Sequence, residues 1–136
     1  MDFRALPPRK RPNQWLICPP GFASRAPDEE APLFDAPVEA LQSAWKDVVA
    51  NQPRIAVVRD EAGGMELTQR TRVLGFTDDV AVSYVDLKRG RSSIALLSRS
   101  RVGYSDLGTN RRRLRGWLAA LEERLPVVRS PDGAKV

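Results

Sequence analysis

The sequence contains no histidine and a single cysteine, Cys18, among its 136 residues. Without histidine the chain cannot build a Ser-His-Asp triad, a Cys-His dyad or the common Cys/His zinc sites. Cys18 has no second thiol with which to form a disulfide. Because its neighbours are Ile17 and Pro19 and no basic residue adjoins it, we expect this thiol to be structural rather than nucleophilic. We therefore expect no metal and no cofactor, and the residues favour a non-catalytic protein.

Long apolar runs are also missing. No stretch approaches the ~20 apolar residues of a membrane span, and the basic N-terminus runs into Pro7 and Pro8 without the apolar segment of a signal peptide. We expect a cytoplasmic protein with no transmembrane segment. Any contact with a membrane would be peripheral.

Apart from one segment, the chain is electrically balanced. Residues 99–115 hold six arginines and one acidic residue, whereas the whole chain has 22 basic and 17 acidic residues, which leaves 16 of each elsewhere. The formal charge of +5 therefore belongs to this segment. Because the clustered arginines lack the aromatic side chains that stack on single-stranded bases, a nucleic-acid partner is disfavoured.

The N-terminal part is rich in proline, with seven prolines in residues 1–32. Such a composition favours an extended arm over a helix. We expect Trp15 and Phe22 to be buried where the arm covers the core, the alternative being an apolar tail that binds a partner. The predicted organisation is an arm at 1–31, an α+β domain at 32–126 and a flexible tail at 127–136.

Two apolar stripes with helical spacing predict one helix near each end of the domain. We expect the first helix to follow a cap at Asp35, to hold Pro37 in its first turn and to end near Asn51. The stripe residues of the first helix are Val38, Leu41, Trp45, Val48 and Val49, and those of the second are Leu114, Trp117, Leu118, Leu121 and Leu125. Trp45 and Trp117, at the centres of the stripes, should be buried.

Alternating apolar residues and two glycine-containing turns predict two hairpins between the helices. The four predicted strands cover residues 55–60, 65–73, 80–87 and 93–101, and a short strand is expected at 32–35. Short connections force neighbouring strands to be antiparallel and leave both helices for one face. The predicted fold is therefore α+β and two-layered: an antiparallel four- to five-stranded sheet in the order β-α-β-β-β-β-α, with two helices on one face and an extended Pro-rich arm before it.

The connection between the last strand and the last helix is the most unusual stretch. Ser98 and Ser100 replace apolar residues on the inward face of the strand, so a cavity could open there. Asn110 lies one turn before Leu114, which directs its amide to the same place. The candidate ligand-binding residues are Ser98, Arg99, Ser100, Arg101, Ser105, Asp106, Asn110 and Arg113.

The arginines in the first turn of the last helix break a local rule. Each opposes the helix dipole at a cost of about 0.3–1 kcal/mol, and such violations concentrate at functional sites. Glycines, hydroxyls and free amides beside these arginines have the chemistry of an anion site. The alternative is that some arginines pair with Asp78, Asp79, Asp86 or Asp106 and that the others stay in water.

Three polar segments of the chain read together as one pattern. They are Pro12-Asn13 before Cys18-Pro19-Pro20, Gln69-Arg70-Thr71-Arg72 with Phe76 and Asp78-Asp79, and the run from Ser98 to Arg111. Across about residues 12–125, the chain resembles the bacterial and plastid family called domain of unknown function 1499. It departs from the family pattern at Thr77, where a proline often follows the phenylalanine. No activity is attached to the family, so the resemblance implies the extent of the domain and a shared polar motif.

Three functions fit these residues. The favoured one is a non-catalytic binding module for an anionic ligand (a phosphate, a carboxylate or a lipid head group) at the strand-to-helix corner, residues 98–113. The first alternative is a structural or protein-interaction module whose basic face meets an acidic protein. The second is a metal-independent hydrolase built on Arg99, Arg101 and Asp106, which would need a carboxylate within hydrogen-bond reach of a pocket. A concave corner would favour ligand binding, and a flat basic face would favour the interaction module.

Overall fold

Two α-helices, a short 3-10 helix at Phe3–Ala5 and six strands make up the fold in the computed structural model, which describes residues 1–9, 11–103 and 105–128. In chain order the elements are β1 (Gln14–Cys18), β2 (Glu29–Glu30), α1 (Val38–Ala50), β3 (Ile55–Glu61), β4 (Gly64–Arg70), β5 (Thr77–Lys88), β6 (Arg91–Ser100) and α2 (Thr109–Glu122).

The strands form one sheet in the order β2-β1-β6-β5-β4-β3. Strands β3 to β6 form an antiparallel meander, as the two predicted hairpins require. Strand β1 pairs antiparallel with β6, with Trp15 opposite Ser98, whereas β2 runs parallel to β1. The α+β class and the two helices are thus confirmed, while the sheet is mixed and has more strands than the sequence predicted.

The first strand lies in the N-terminal arm and not at residues 32–35. Phe34 makes isolated bridges to Ser92 and Val127, and the position beside β6 is taken by Gln14–Cys18. In this strand Leu16, Ile17 and Cys18 are all fully buried. A continuous apolar run is typical of a strand that is covered on both faces. Because prolines surround this run, the sequence predicted an extended arm and not a strand of five residues.

Both helices pack on one face of the sheet, and their stripes supply most of the main core. Trp45 of α1 and Trp117 of α2 are 0% and 4% exposed, and their rings meet edge to face with centroids 6.0 Å apart. They pack with buried residues of the sheet such as Leu67 and Val82. The predicted burial of both tryptophans is confirmed.

The arm covers the opposite face of the sheet. Phe3, Leu6 and Cys18 form a second buried cluster with Leu97 and its neighbours, and the half-buried Phe22 packs against it. Trp15, by contrast, is half-buried against the main core. Burial raises the pKa of the Cys18 thiol, which lowers the thiolate fraction at neutral pH and supports the expected structural role.

Several element boundaries differ from the prediction. Strand β4 ends at Arg70 because Thr71 closes a turn, its amide donating to the Phe76 carbonyl (2.8 Å), with Gly75 at φ +68°. Helix α1 begins at Val38 without a side-chain cap from Asp35. Most of the predicted tail, 129–136, lies outside the described residues, whereas the Val128 amide donates to the Leu33 carbonyl (2.8 Å).

Candidate functional site

A cluster of polar side chains lies at the end of the sheet where β5 begins, β6 ends and α2 starts. We call it the inner polar network, and its members are Gln69, Asp78, Ser98, Ser100, Asp106, Asn110 and Arg113.

Arg113 of α2 is the centre of the inner polar network. Its Nη2 donates to Asp78 Oδ2 (2.7 Å) and its Nε donates to Gln69 Oε1 (2.5 Å). Its Nη1 donates to Ser98 Oγ (3.0 Å) and to Asn110 Oδ1 (2.8 Å). The side chains of Arg113 and Asp78 are 6% and 2% exposed, so this buried charge is neutralised within the protein.

Asn110 joins the strand to the helix. Its Nδ2 donates to Ser100 Oγ (2.9 Å), to Asp106 Oδ2 (2.5 Å) and to the backbone carbonyl of Asn13 (2.9 Å). Ser98 Oγ donates to its Oδ1 (2.6 Å). Asn110 is fully buried, and protein groups supply hydrogen-bond partners for both the nitrogen and the oxygen of its side-chain amide.

Asp106 caps the start of α2. Its carboxylate accepts hydrogen bonds from the amides of Gly108 (2.8 Å) and Asn110 (3.1 Å), and Gly108 holds the left-handed φ of +84° that this turn requires. The carboxylate therefore takes the position that a bound anion occupies at other helix starts. It also offsets the unfavourable interaction of the helix dipole with the arginines of the first turn.

The alternation of the strand separates two of the predicted residues from the others. Arg101 projects to the opposite face, where its Nε and Nη2 contact the Asp79 carboxylate at 2.8 Å each. Arg99 lies on that face too, close enough to Arg25 to help burial lower the pKa of the Arg25 guanidinium. Thus Ser98, Ser100, Asp106, Asn110 and Arg113 converge, whereas Arg99 and Arg101 do not. Arg101 and Arg113 each pair with an aspartate, as the alternative interpretation of the clustered arginines predicts.

An open cavity of about 650 Å³ adjoins the inner polar network, and we call it the corner cavity. One wall is the turn at 71–76, and the other is the connection from β6 to α2, including Ser105. The cavity is also lined by four residues with largely buried side chains, Gln69, Asp78, Arg113 and Trp117. Its volume lies within the range of about 300–1,000 Å³ that small-molecule sites occupy.

Four further arginines, Arg54, Arg70, Arg72 and Arg112, line the corner cavity. Within the described residues none of them has an ion-pair partner. Arg112 Nη1 donates to the Leu107 carbonyl (2.9 Å), and Arg54 Nε donates to that of Arg70 (2.9 Å). With Arg113, five arginines face two aspartates around the cavity, so its lining carries a formal excess of positive charge.

Sequence reasoning missed Gln69, Asp78 and these four arginines as parts of the site. A signal for the first two was present, because Gln69 continues the inward face of Met65 and Leu67, and Asp78 continues that of Val80. Arg72 belongs to the second polar segment and Arg112 to the first-turn arginines of the last helix. That both line one cavity depends on how the turn at 71–76 packs beside α2.

Among the solved structures that are similar to this chain are two aromatase/cyclase proteins. The di-domain aromatase/cyclase BexL from the BE-7585A biosynthetic pathway is 17% identical, with 69% of this chain covered, 44% of that chain covered and a TM-score of 0.49. The Zhui aromatase/cyclase from Streptomyces sp. R1128 is 16% identical, with coverage of 69% and 82% and a TM-score of 0.31. The chain thus spans less than half the length of BexL, and likenesses at this level do not bear on activity.

Comparison with curated proteins finds no match. In the part of the chain that the structure describes, no helix has the length and hydropathy needed to cross a bilayer. A family model described as "protein of unknown function (DUF1499)" matches residues 15–121, which include the turn at 71–76 and most of β1 and α2. The chain therefore belongs to the DUF1499 family, as the three polar segments of its sequence predict.

Proposed function

We propose that the protein is a non-catalytic binding module that holds an anionic ligand in the corner cavity. The observation that carries this proposal is the coincidence of an open cavity with Arg54, Arg70, Arg72 and Arg112, four arginines that lack ion-pair partners in the described chain. Arginine binds phosphate and carboxylate groups through paired N–H donors. The cavity also favours ligand binding over the alternative of an interaction module, for which a flat basic face is expected.

The proposed anion position differs from the one that the sequence suggested. The inner polar network is already satisfied, since Arg113 pairs with Asp78 and Asp106 accepts from the amides at the start of α2. A ligand anion would therefore lie nearer the mouth, between Arg72 on one wall and Arg112 on the other. In this arrangement the inner polar network holds α2 and the strands in place.

The same contacts favour binding over hydrolysis. A general base must be free to accept a proton from the attacking group. Both carboxylates that line the cavity, Asp78 and Asp106, are engaged by groups of the protein itself. Asp79, on the other face of the sheet, pairs with Arg101.

The test is a thermal-stability titration with inorganic phosphate at fixed ionic strength. At about tenfold above Kd a ligand that binds the folded state adds ~1.4 kcal/mol, or roughly 5 °C in Tm for a domain of this size. We expect this shift to disappear in the double variant Arg72→Gln/Arg112→Gln, because both cavity walls then lose a cation.

A matched control corrects for the general stabilisation that phosphate gives to folded proteins. The double variant Arg89→Gln/Arg124→Gln removes the same charge far from the cavity. The control variant also loses the same kind of contact as the test variant, because Arg124 and Arg112 each donate a hydrogen bond to a backbone carbonyl. A shift of equal size in the parent and both double variants would refute the proposal.

A further inference from the structure

Apolar side chains that water reaches freely surround the mouth of the corner cavity. Val73 is 88% exposed, Leu74 70% and Leu107 85%, and all three line the cavity together with the exposed Phe76 and Val102. Of nine large apolar side chains exposed in the described part of the chain, five thus meet at one opening. Isolated exposed apolar residues are ordinary, whereas a cluster at a cavity is typical of a binding surface.

The backbone at Leu107 holds one of these side chains outward at some cost. Leu107 has a φ of +54°, a left-handed conformation that bulky residues rarely adopt. Its amide donates to Ser105 Oγ (3.3 Å), and its carbonyl accepts from Arg112 Nη1 (2.9 Å). Strained residues that are fixed in this way concentrate at binding and catalytic sites.

Cations and apolar groups are therefore presented together, on both walls of the same opening. The turn at 71–76 carries Arg72 beside Val73 and Leu74, and the opposite wall carries Arg112 beside Leu107. A bare inorganic anion would use the arginines and leave the apolar groups in water. A ligand with an apolar chain attached to its anionic group would use both.

We propose that the ligand is an amphiphilic anion, with a phosphate or carboxylate held by the arginines and an apolar chain lying against Val73, Leu74 and Leu107. This inference rests on the proposed function and names the chemical class of its ligand. The same chemistry occurs in a free alkyl phosphate and in an anionic lipid within a bilayer. The experiment therefore has one arm for each source.

The first arm is a calorimetric titration of the parent with inorganic, butyl, hexyl and octyl phosphate, each below its micelle concentration. Burying a methylene tightens binding by roughly fourfold, which corresponds to ~0.8 kcal/mol. We expect Kd to fall by about fifteenfold for each two-carbon step that stays within the cavity. Octylammonium, with the same chain and the opposite charge, should not bind.

Two serine double variants locate the apolar chain. Val73→Ser/Leu74→Ser removes apolar groups from the cavity mouth, and Val57→Ser/Val58→Ser removes comparable groups from strand β3, where they are 50% and 68% exposed. The first variant should lose most of the chain-length dependence, so that its affinities for octyl and inorganic phosphate become similar. The second should bind every alkyl phosphate as the parent does.

The second arm is flotation with vesicles of phosphatidylglycerol and phosphatidylcholine in equal parts, or of phosphatidylcholine alone. Flotation of the parent with the anionic vesicles, lost in Val73→Ser/Leu74→Ser, would support the inference with a bilayer lipid as the source. Chain-length-dependent binding without flotation would support it with a free amphiphile. Equal affinity for inorganic and octyl phosphate would overturn the inference and leave the proposed function standing. No binding of any phosphate would overturn both.

Discussion

Replacing Arg113 with methionine should lower the free energy of unfolding by about 3–5 kcal/mol, because the substitution leaves the Asp78 carboxylate buried without a counter-charge. The side chain of Asp78 is 2% exposed, so water cannot take the place of the guanidinium. Gln69 and Ser98 would lose hydrogen bonds from the same side chain. Urea unfolding measures the effect. An m-value equal to that of the parent would show that the parent and the variant expose similar surface areas on unfolding.

Arg101→Met is the matched control for this prediction. Arg101 forms an ion pair of similar length with Asp79 (2.8 Å, against 2.7 Å for Arg113 and Asp78), but the side chains of Arg101 and Asp79 are 55% and 39% exposed. Exposed pairs contribute little to stability. We therefore expect this variant to unfold close to the parent midpoint. The double variant Arg113→Met/Asp78→Leu should regain much of the lost stability, because it removes both buried charges. If Arg113→Met were no more harmful than Arg101→Met, the inner polar network would not support the fold.

Truncating Trp117 to alanine should cost about 3–5 kcal/mol, since it leaves a void between the helices and removes the edge-to-face contact with Trp45. Trp45→Ala should cost a similar amount, because the Trp45 side chain is fully buried. Thermal unfolding followed by circular dichroism measures both effects.

A large apolar residue outside the core provides the comparison. Leu87 is 41% exposed near the far end of β5, and Leu87→Ala should change stability by no more than ~0.5 kcal/mol. If Trp117→Ala melted at the parent temperature, the assignment of the core between the two helices and the sheet would be wrong.

Periodicity predicted the parts of the fold that one local pattern determines. The stripes through Trp45 and Trp117 located both helices, and the turns near Gly63 and Gly90 located both hairpins. The strand Gln14–Cys18 was missed because it is short, lies among prolines and pairs with β6, about 80 residues later in the chain. A pairing between such distant segments leaves no local signal in either of them.

The candidate site could be predicted in position but not in its contacts. Inward alternation placed Ser98 and Ser100 correctly beside Asn110. The same alternation places Arg99 and Arg101 on the opposite face of the sheet. Both were nevertheless predicted as ligand-binding residues because they belong to the cluster of arginines. That Arg113 pairs with Asp78 follows from the register of β5 against β6 and from the rotation of α2, and neither quantity can be obtained from composition or spacing.

We place the bound anion in the corner cavity, and amide nuclear magnetic resonance tests this position most directly. Spectra of the labelled protein are recorded during a titration with inorganic phosphate at fixed ionic strength. We expect saturable shift changes confined to Arg54 and to residues 69–76 and 105–113, which surround the corner cavity. Saturable changes at Arg9, Arg25 and Arg99, on the opposite face of the sheet, or no saturable change anywhere, would contradict it.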